Sequence, residues 1–383
     1  MTTTAEYLNK LVTQKNALAD NLVTKGVDAT HDETLETLVP KVLGISSGGG
    51  GGNGIYPIRE DGRPTGDVIV PEGVTSLYRY IFDSNTSVTS VTLPTTLTAL
   101  NEYTFFRCTS LTSVQLNNCN ITNIPMYSLA YTAIINFLMP QTLTNIGNRA
   151  FAKCTELQNI TFKKNNDIKY INIESYAFED CSALTTVDFE TDDILIYPSH
   201  NVFEDCTSLG NETVMKIIDH LYTGLVTDNC FHNCTGITDI TISKSGDRMF
   251  SYCTKLKHCK ILESETCIYA GLFSNCKNLT SIELPATITK YTNNALTTSI
   301  TSNNYFLYGC NNLESIIVGD GWNMSMRLDV TTNLTVDSMV GIFNNLKDLT
   351  GETAKTLTLG STNLAKLTDE QKAIATNKNC TLA

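Results

Sequence analysis

The chain has 383 residues, 42% of them hydrophobic and 17% charged, with a net charge of −12 at pH 7. That balance suffices for a buried core. It disfavours nucleic acid or anionic membrane as the principal partner, since both require a basic face, and no run approaches the ~20 apolar residues of a membrane span.

Glu6, Lys10, Lys15 and Asp20 interrupt the start of the chain, which lacks the ~7–15-residue apolar stretch of a secretory signal. Thr3 and Glu6 form a capping box. Leu8, Leu11, Lys15, Leu18 and Leu22 follow with the spacing of a coiled-coil seam, and Gly26 stops it. A second box, Thr30 with Glu33, opens a short helix through Leu35, Leu38, Val39 and Val42. Residues 1–45 therefore read as a helical, coiled-coil segment for attachment and oligomerisation, with a plain helical hairpin as the alternative. Residues 46–54, SSGGGGGNG, are a flexible linker.

Residues 55–335 carry a repeat. Phe151 to Phe162 reads F-x-x-C-x-x-L-x-x-I-x-F. The same spacing recurs from Phe105, Phe178, Phe231, Phe250 and Phe273, with weaker copies from Phe82, Leu129, Phe203 and Leu307. A period of about 23 residues marks a solenoid. The I-x-F or V-x-I pair alternates as a strand with one face buried. A strand so short is unstable alone, so successive coils must stack into a parallel sheet, with Phe and Leu filling the layer behind it. The cysteine marks a turn where a small side chain goes inside. Asn85 fits the same slot because its amide can bond the turn backbone. The 13 cysteines are an odd number, and with no secretory signal in view free thiols are expected. Coils stacked about 4.8 Å apart would nonetheless bring some within disulfide reach.

Asn211 to Leu221, with Val214, Ile217, Ile218 and Leu221, predicts an amphipathic helix inside the array. Insertions after Phe162 and Leu284 predict loops or hairpins on one edge. Residues 336–383 predict a helix–strand–helix cap, with a stripe of Val336, Met339, Val340 and Phe343 and a last helix capped by Thr368 and Gln371. Without a cap the final coil would expose its core.

Catalysis, cofactors and metal are not expected. Cys230, His232 and Cys234 put ligand types close together, but zinc sites use a second pair elsewhere. Asp192 with Asp193 and Glu263 with Glu265 read as solvated loop charges rather than the two separated carboxyls of glycoside cleavage. The outward strand positions are small and polar, suited to hydrogen-bonding a ligand or simply to facing water. They include Ser113, Gln115, Asn159, Thr161, Thr186, Asp188, Asp239, Thr241, Lys260 and Glu283. Tyr197, Tyr291 and Trp322 are candidate aromatic anchors.

Pro140 to Phe162, P-x-T-L-T-x-I-G-x-x-A-F-x-x-C-x-x-L-x-x-I-x-F, resembles the BspA-type leucine-rich repeats of bacterial proteins. The resemblance implies an α/β solenoid with a short parallel β-sheet, used for binding. Residues 1–45 and 336–383 are similar to the terminal segments of phage and prophage tail proteins from Gram-positive hosts. That likeness implies a tail fibre or baseplate appendage of a virion. It would be a homotrimer mounted on other tail proteins through residues 1–45 and would recognise a host cell-surface glycan or protein through its repeats. The alternative reading is a bacterial BspA-like cell-surface adhesin, and the enzymatic rival is a glycan depolymerase.

Overall fold

A computed structural model describes residues 64–116, 118–164, 170–222, 228–292 and 305–383, together with positions 12, 15, 16, 19, 20, 22 and 29–32. Apart from those few positions, the predicted coiled coil of residues 1–45 and the linker 46–54 lie outside the described residues, as do the middles of both predicted insertions. The chain divides into two compact units, Met1–Ile171 with Asp188–Ile194, and Asn172–Val187 with Leu195–Ala383. Both are built from the same coil. No helix among the described residues is long and apolar enough to cross a membrane.

Each F-x-x-C copy makes two left-handed turns four residues apart, at Arg149 and Lys153 around Phe151 and at Asn229 and Asn233 around Phe231. Between the turns the backbone N–H reaches the next coil. In the first unit Phe105 donates to the Ser128 carbonyl at 2.8 Å and Leu129 to that of Ala150 at 2.9 Å. In the second, Phe203 donates to Cys230 at 2.9 Å and Phe231 to Met249 at 3.0 Å. The rings pile up behind this ladder. Phe82 stacks on Phe105 at 5.2 Å, and Phe178, Phe203, Phe231, Phe250 and Phe273 form a column with centroids 5.3 to 6.1 Å apart. Each ring is buried, a contribution of roughly 1.5–3 kcal/mol.

The cysteine adds a link backwards. Cys108 Sγ donates to the Phe82 carbonyl at 2.9 Å, Cys234 to Phe203 at 3.1 Å, Cys253 to Phe231 at 3.2 Å and Cys276 to Phe250 at 3.0 Å. All 13 cysteines are buried, and none forms a disulfide. Of the weaker copies, those from Phe203 and Leu307 keep the thiol link, Cys206 to the Phe178 carbonyl at 3.1 Å and Cys310 to that of Phe273 at 3.0 Å. Asn85 Nδ2 instead reaches back to the Pro64 carbonyl at 2.9 Å, and Thr132 Oγ1 turns to the Leu129 carbonyl of its own copy at 2.9 Å. Thr132 thus holds the cysteine slot of the Leu129 copy, whose deletion falls just beyond it and leaves Ile134 inside and Ile135 exposed.

The strands follow the predicted alternation and pair in parallel. Gly66–Ile69, Val88–Thr92 and Ser113–Gln115 form one sheet of the first unit, and Asn136–Leu138 pairs with Asn159–Phe162. In the second unit Asp239–Ile242, His258–Ile261, Ser281–Leu284 and Ser315–Val318 form a four-stranded parallel sheet.

Helices close the two edges of that four-stranded sheet. Asn211–Asp219 buries Val214, Ile217 and Ile218. Its Asn211 Oδ1 accepts from Thr238 N at 2.8 Å and Asp239 N at 3.2 Å, a side chain standing where a further strand's carbonyl would be. Val336–Asn345 lies beyond the opposite edge. Its Ser338 Oγ accepts from Ile316 N at 2.8 Å, and Asn345 Nδ2 donates to the Val318 carbonyl at 2.7 Å. The buried stripe of this helix is Met339, Ile342 and Phe343. Val340, expected in the stripe, is half-buried. The cap continues with Lys355–Thr358, which pairs in parallel with Met326–Arg327 and Cys380–Leu382. The helix Asp369–Thr376 starts with a complete Thr368–Gln371 capping box.

Candidate ligand-binding face

The outward strand positions converge best on the four-stranded sheet. Parallel register sets Asp239, His258, Ser281 and Ser315 in one outward row, and Thr241, Lys260, Glu283 and Ile317 in the next. Inward Ile240, Cys259, Ile282 and Ile316 fix this orientation, because neighbours along a strand face opposite sides. Side chains bond across the rows. His258 Nδ1 lies 2.7 Å from Ser281 Oγ, and its Nε2 lies 3.6 Å from Glu283 Oε1. Lys260 Nζ lies 3.0 Å from Glu283 Oε2.

Beside this network the face turns apolar. Ile317 is 52% exposed and Leu262 37%. They line a cleft of ≈570 Å³ with Lys260, Glu283, Pro285 and Gly319, within the size range of ligand pockets. A charged pair beside exposed aliphatic surface offers a partner both a hydrogen-bonding register and an apolar contact. The Ser281–His258–Glu283 contacts lie on the outward surface of the parallel strands.

The remaining predicted positions disperse. Ser113 and Gln115 stand opposite Ser90 and Thr92 in the first unit. In the same sheet Asp67 accepts from Ser90 Oγ at 2.6 Å and Thr89 Oγ1 at 3.0 Å, bonds that hold its pKa below the usual value. Asn159 Nδ2 donates to Asn136 Oδ1 at 2.6 Å, and Thr161 stands opposite Leu138. Thr186 and Asp188 take the outward positions of Thr186–Phe189.

The aromatic anchors need correcting. Trp322 is 1% exposed, its indole N–H donates to the Met324 carbonyl at 3.1 Å, and its backbone bridges to Leu346. It is core. Tyr291 is also turned inward, donating to the Ser325 carbonyl at 2.9 Å, and burial pushes its pKa up. Tyr197 is half-buried with its ring 6.1 Å from that of Tyr222.

Glu265 is not a solvated loop charge. It is buried, accepting from Ser245 Oγ at 2.9 Å and from the backbone N–H groups of Thr266 and Cys267 at 3.0 and 3.2 Å. Asp193 faces Lys164 at 3.2 Å. Cys230 and Cys234 are core, while His232 Nδ1 meets Ser251 Oγ at 2.7 Å. No group of three or more metal-ligating side chains gathers among the described residues.

Sequence reasoning missed His258 and Ile317 as parts of the face. The signal was present in S-I-I-V, Ser315–Val318. Once Ile316 is inward, Ile317 must be outward, and an aliphatic there is out of keeping with a solvated sheet.

Several solved bacterial proteins are similar at low identity. A leucine-rich repeat protein from Bacteroides ovatus matches at 15% identity with a TM-score of 0.43, over 86% of this chain and 97% of its own. The pneumococcal vaccine antigen PcpA matches at 13% identity with a TM-score of 0.44, over 85% and 90%. A leucine-rich repeat protein from Eubacterium ventriosum matches at 16% identity with a TM-score of 0.35, over 70% and 76%. No curated protein is similar to the chain. The family model described as BspA type leucine-rich repeat region matches in 6 copies, over residues 65–172, 122–245, 172–301 and 224–323. With its repeated coil and a family match over more than half its length, the chain belongs to the BspA-type leucine-rich repeat family.

Proposed function

We propose that this chain is an adhesin, a surface-recognition protein that binds and does not catalyse, and that it holds a protein ligand on the outward face of its four-stranded sheet. The observation that carries the reading is Ile317. It stands 52% exposed in the same outward row as the Lys260–Glu283 pair, on a sheet whose edges are both covered by helices. An exposed aliphatic framed by charge is a contact surface in search of a partner. The tail-appendage reading rests on the likeness of the two end segments. Residues 336–383 do the work of a cap, which any repeat array needs. Trimeric mounting would depend on residues 1–45, largely outside the described residues.

The test is adherence of cells to surfaces coated with the full chain, with Ile317→Asp and Lys260→Glu as variants. Both positions are exposed, so folding is expected to survive. Adherence should fall several-fold for each variant. Equal adherence to wild type and both variants would remove this face from the function. Adherence confined to bacterial cells of one strain would instead favour a tail appendage.

A further inference from the structure

The first unit carries a second surface of different chemistry. Its left-handed turn positions bear Tyr80, Tyr103, Tyr127 and Arg149 in one row, and Ser84, Arg107, Tyr131 and Lys153 in the other. Left-handed backbone favours Gly, Asn and Asp and is unfavourable for bulky side chains. The second unit mostly follows that preference, with Asp180, Asn201, Asp205, Asn229, Asn233, Gly271, Asn275 and Gly309 alongside Tyr176, Arg248 and Tyr252. The fold therefore does not require aromatic and basic residues at these turns.

In the first unit they make a continuous ridge. The Tyr80, Tyr103 and Tyr127 rings stack at 5.0 and 5.2 Å. Phe106 meets Tyr127 and Tyr131 edge-on at 5.6 and 5.5 Å. The Arg79 guanidinium lies 4.9 Å from the Tyr80 centroid and 5.3 Å from that of Tyr103. Arg107 lies 4.9 Å from Phe106 and 5.5 Å from Tyr131, and Lys153 is 5.9 Å from Tyr131. Tyr78 and Tyr80 are 60% and 48% exposed. Three of the chain's seven arginines, Arg79, Arg107 and Arg149, gather here on a protein of net charge −12. Glu102 lies 2.8 Å from Arg79, and Asp83 Oδ1 accepts from Ser84 Oγ at 3.3 Å.

We propose that this ridge binds an acidic polysaccharide. Because the rings stack on one another, their faces are taken, and Tyr80 is the most open phenol of the stack, 48% exposed. The guanidinium groups are pinned over those rings, and the fork of Arg79 already holds one carboxylate. A guanidinium fork matches a sugar carboxylate, while phenol hydroxyls suit sugar hydroxyls. Both groups repeat from coil to coil, so a polymer with repeated carboxylates meets several equivalent contacts on one chain and weak contacts multiply. A folded protein partner would ask for an apolar pocket to seat an anchor, and the described ridge offers a row of donors instead.

The test is calorimetry of the full chain with polygalacturonate, beside neutral dextran and poly-aspartate. Polygalacturonate should bind, with affinity falling as salt rises. Arg79→Ala with Arg107→Ala should weaken it about tenfold or more, the worth of lost charged hydrogen bonds. Lys255→Ala with Lys277→Ala, exposed lysines of the second unit, should leave it unchanged. Tyr103→Asn, a residue native to equivalent turns, should keep the unfolding midpoint and weaken binding several-fold. Dextran or poly-aspartate binding as well as polygalacturonate would overturn the proposal. So would an arginine double variant, or a folded Tyr103→Asn chain, that binds like wild type.

Discussion

At the residue scale the cysteine solves a local accounting problem. The carbonyl of a Phe slot accepts from the N–H three residues on, as Phe231 does from Cys234 N at 3.2 Å. A carbonyl has a second lone pair, and the next coil's thiol fills it, Cys253 Sγ to Phe231 at 3.2 Å. The thiol also fills space behind the turn as a small hydrophobe. Asn85, whose amide bonds back to the Pro64 carbonyl, shows that the slot selects a compact donor rather than sulfur itself. The price is sensitivity to base. Burial lifts the Cys253 thiol from 9.0 to about 12 and that of Cys310 to about 12. A group whose folded pKa is raised lends stability that is fully present below its unfolded pKa and is lost as pH climbs through the folded one. For Cys253 that window runs from pH 9.0 to about 12. Cys253→Ser keeps a donor and removes the titration. Its thermal midpoint, followed from pH 8 to 11 (about 1 pH step at a time), should fall less steeply than wild type; lysines and tyrosines titrate in both chains, so the difference isolates the thiol. Parallel curves would mean that the thiolate is tolerated inside.

At the element scale, helices replace strands where the sheet must end. An edge strand with open N–H and C=O groups invites pairing with other chains. Here Asn211 and Ser338 supply side-chain partners to the two outer strands of the four-stranded sheet. Ser338→Ala would leave Ile316 N–H buried without its partner, at a cost of about 1–3 kcal/mol. Gly341 offers a check in the opposite direction. It is exposed inside Val336–Asn345, and a Cβ there meets nothing within 4 Å. Gly341→Ala should therefore raise stability by about 0.5–1 kcal/mol through helix propensity alone. Denaturant midpoints of the two variants should move in opposite directions, and a common direction would contradict the assigned role of the helix. Both helices were legible in the sequence, because an apolar stripe at helical spacing needs no tertiary information. The substitution of Val340 by Ile342 in the stripe was not, since two adjacent aliphatics differ only by where the neighbouring strand lies.

At the scale of the whole chain, what could be read in advance was what repeats. Ten copies of a Phe, Leu or Cys spacing carry the coil, and all ten Phe-slot residues, Phe82 to Leu307, are buried. The surfaces were harder, because function there depends on departures from the repeat. Ile317 is one departure and Trp322 another; the latter could be read as core or as contact because it falls outside the repeat. The tyrosine ridge stayed hidden because its turn positions carry Tyr in some coils and Arg, Asn or Gly in others, and the left-handed backbone that relates them is not written in hydropathy. The cap tests how far the array depends on its end. Residues 336–383 cover Ile316, Val318 and Trp322, all now buried, and supply Ser338 and Asn345 to the outermost strand. A chain ending at residue 335 would expose that strand edge and its inward row together. Repeat arrays without a polar terminal coil lose solubility, and an open edge pairs with its copies. The truncated chain is expected to appear as aggregates or as edge-paired oligomers by light scattering, where the full chain with Ile317→Asp does not change its mass. A truncated chain that stays soluble, with the same mass per chain count and an unaltered unfolding midpoint, would show that the coils up to Val318 close themselves without help.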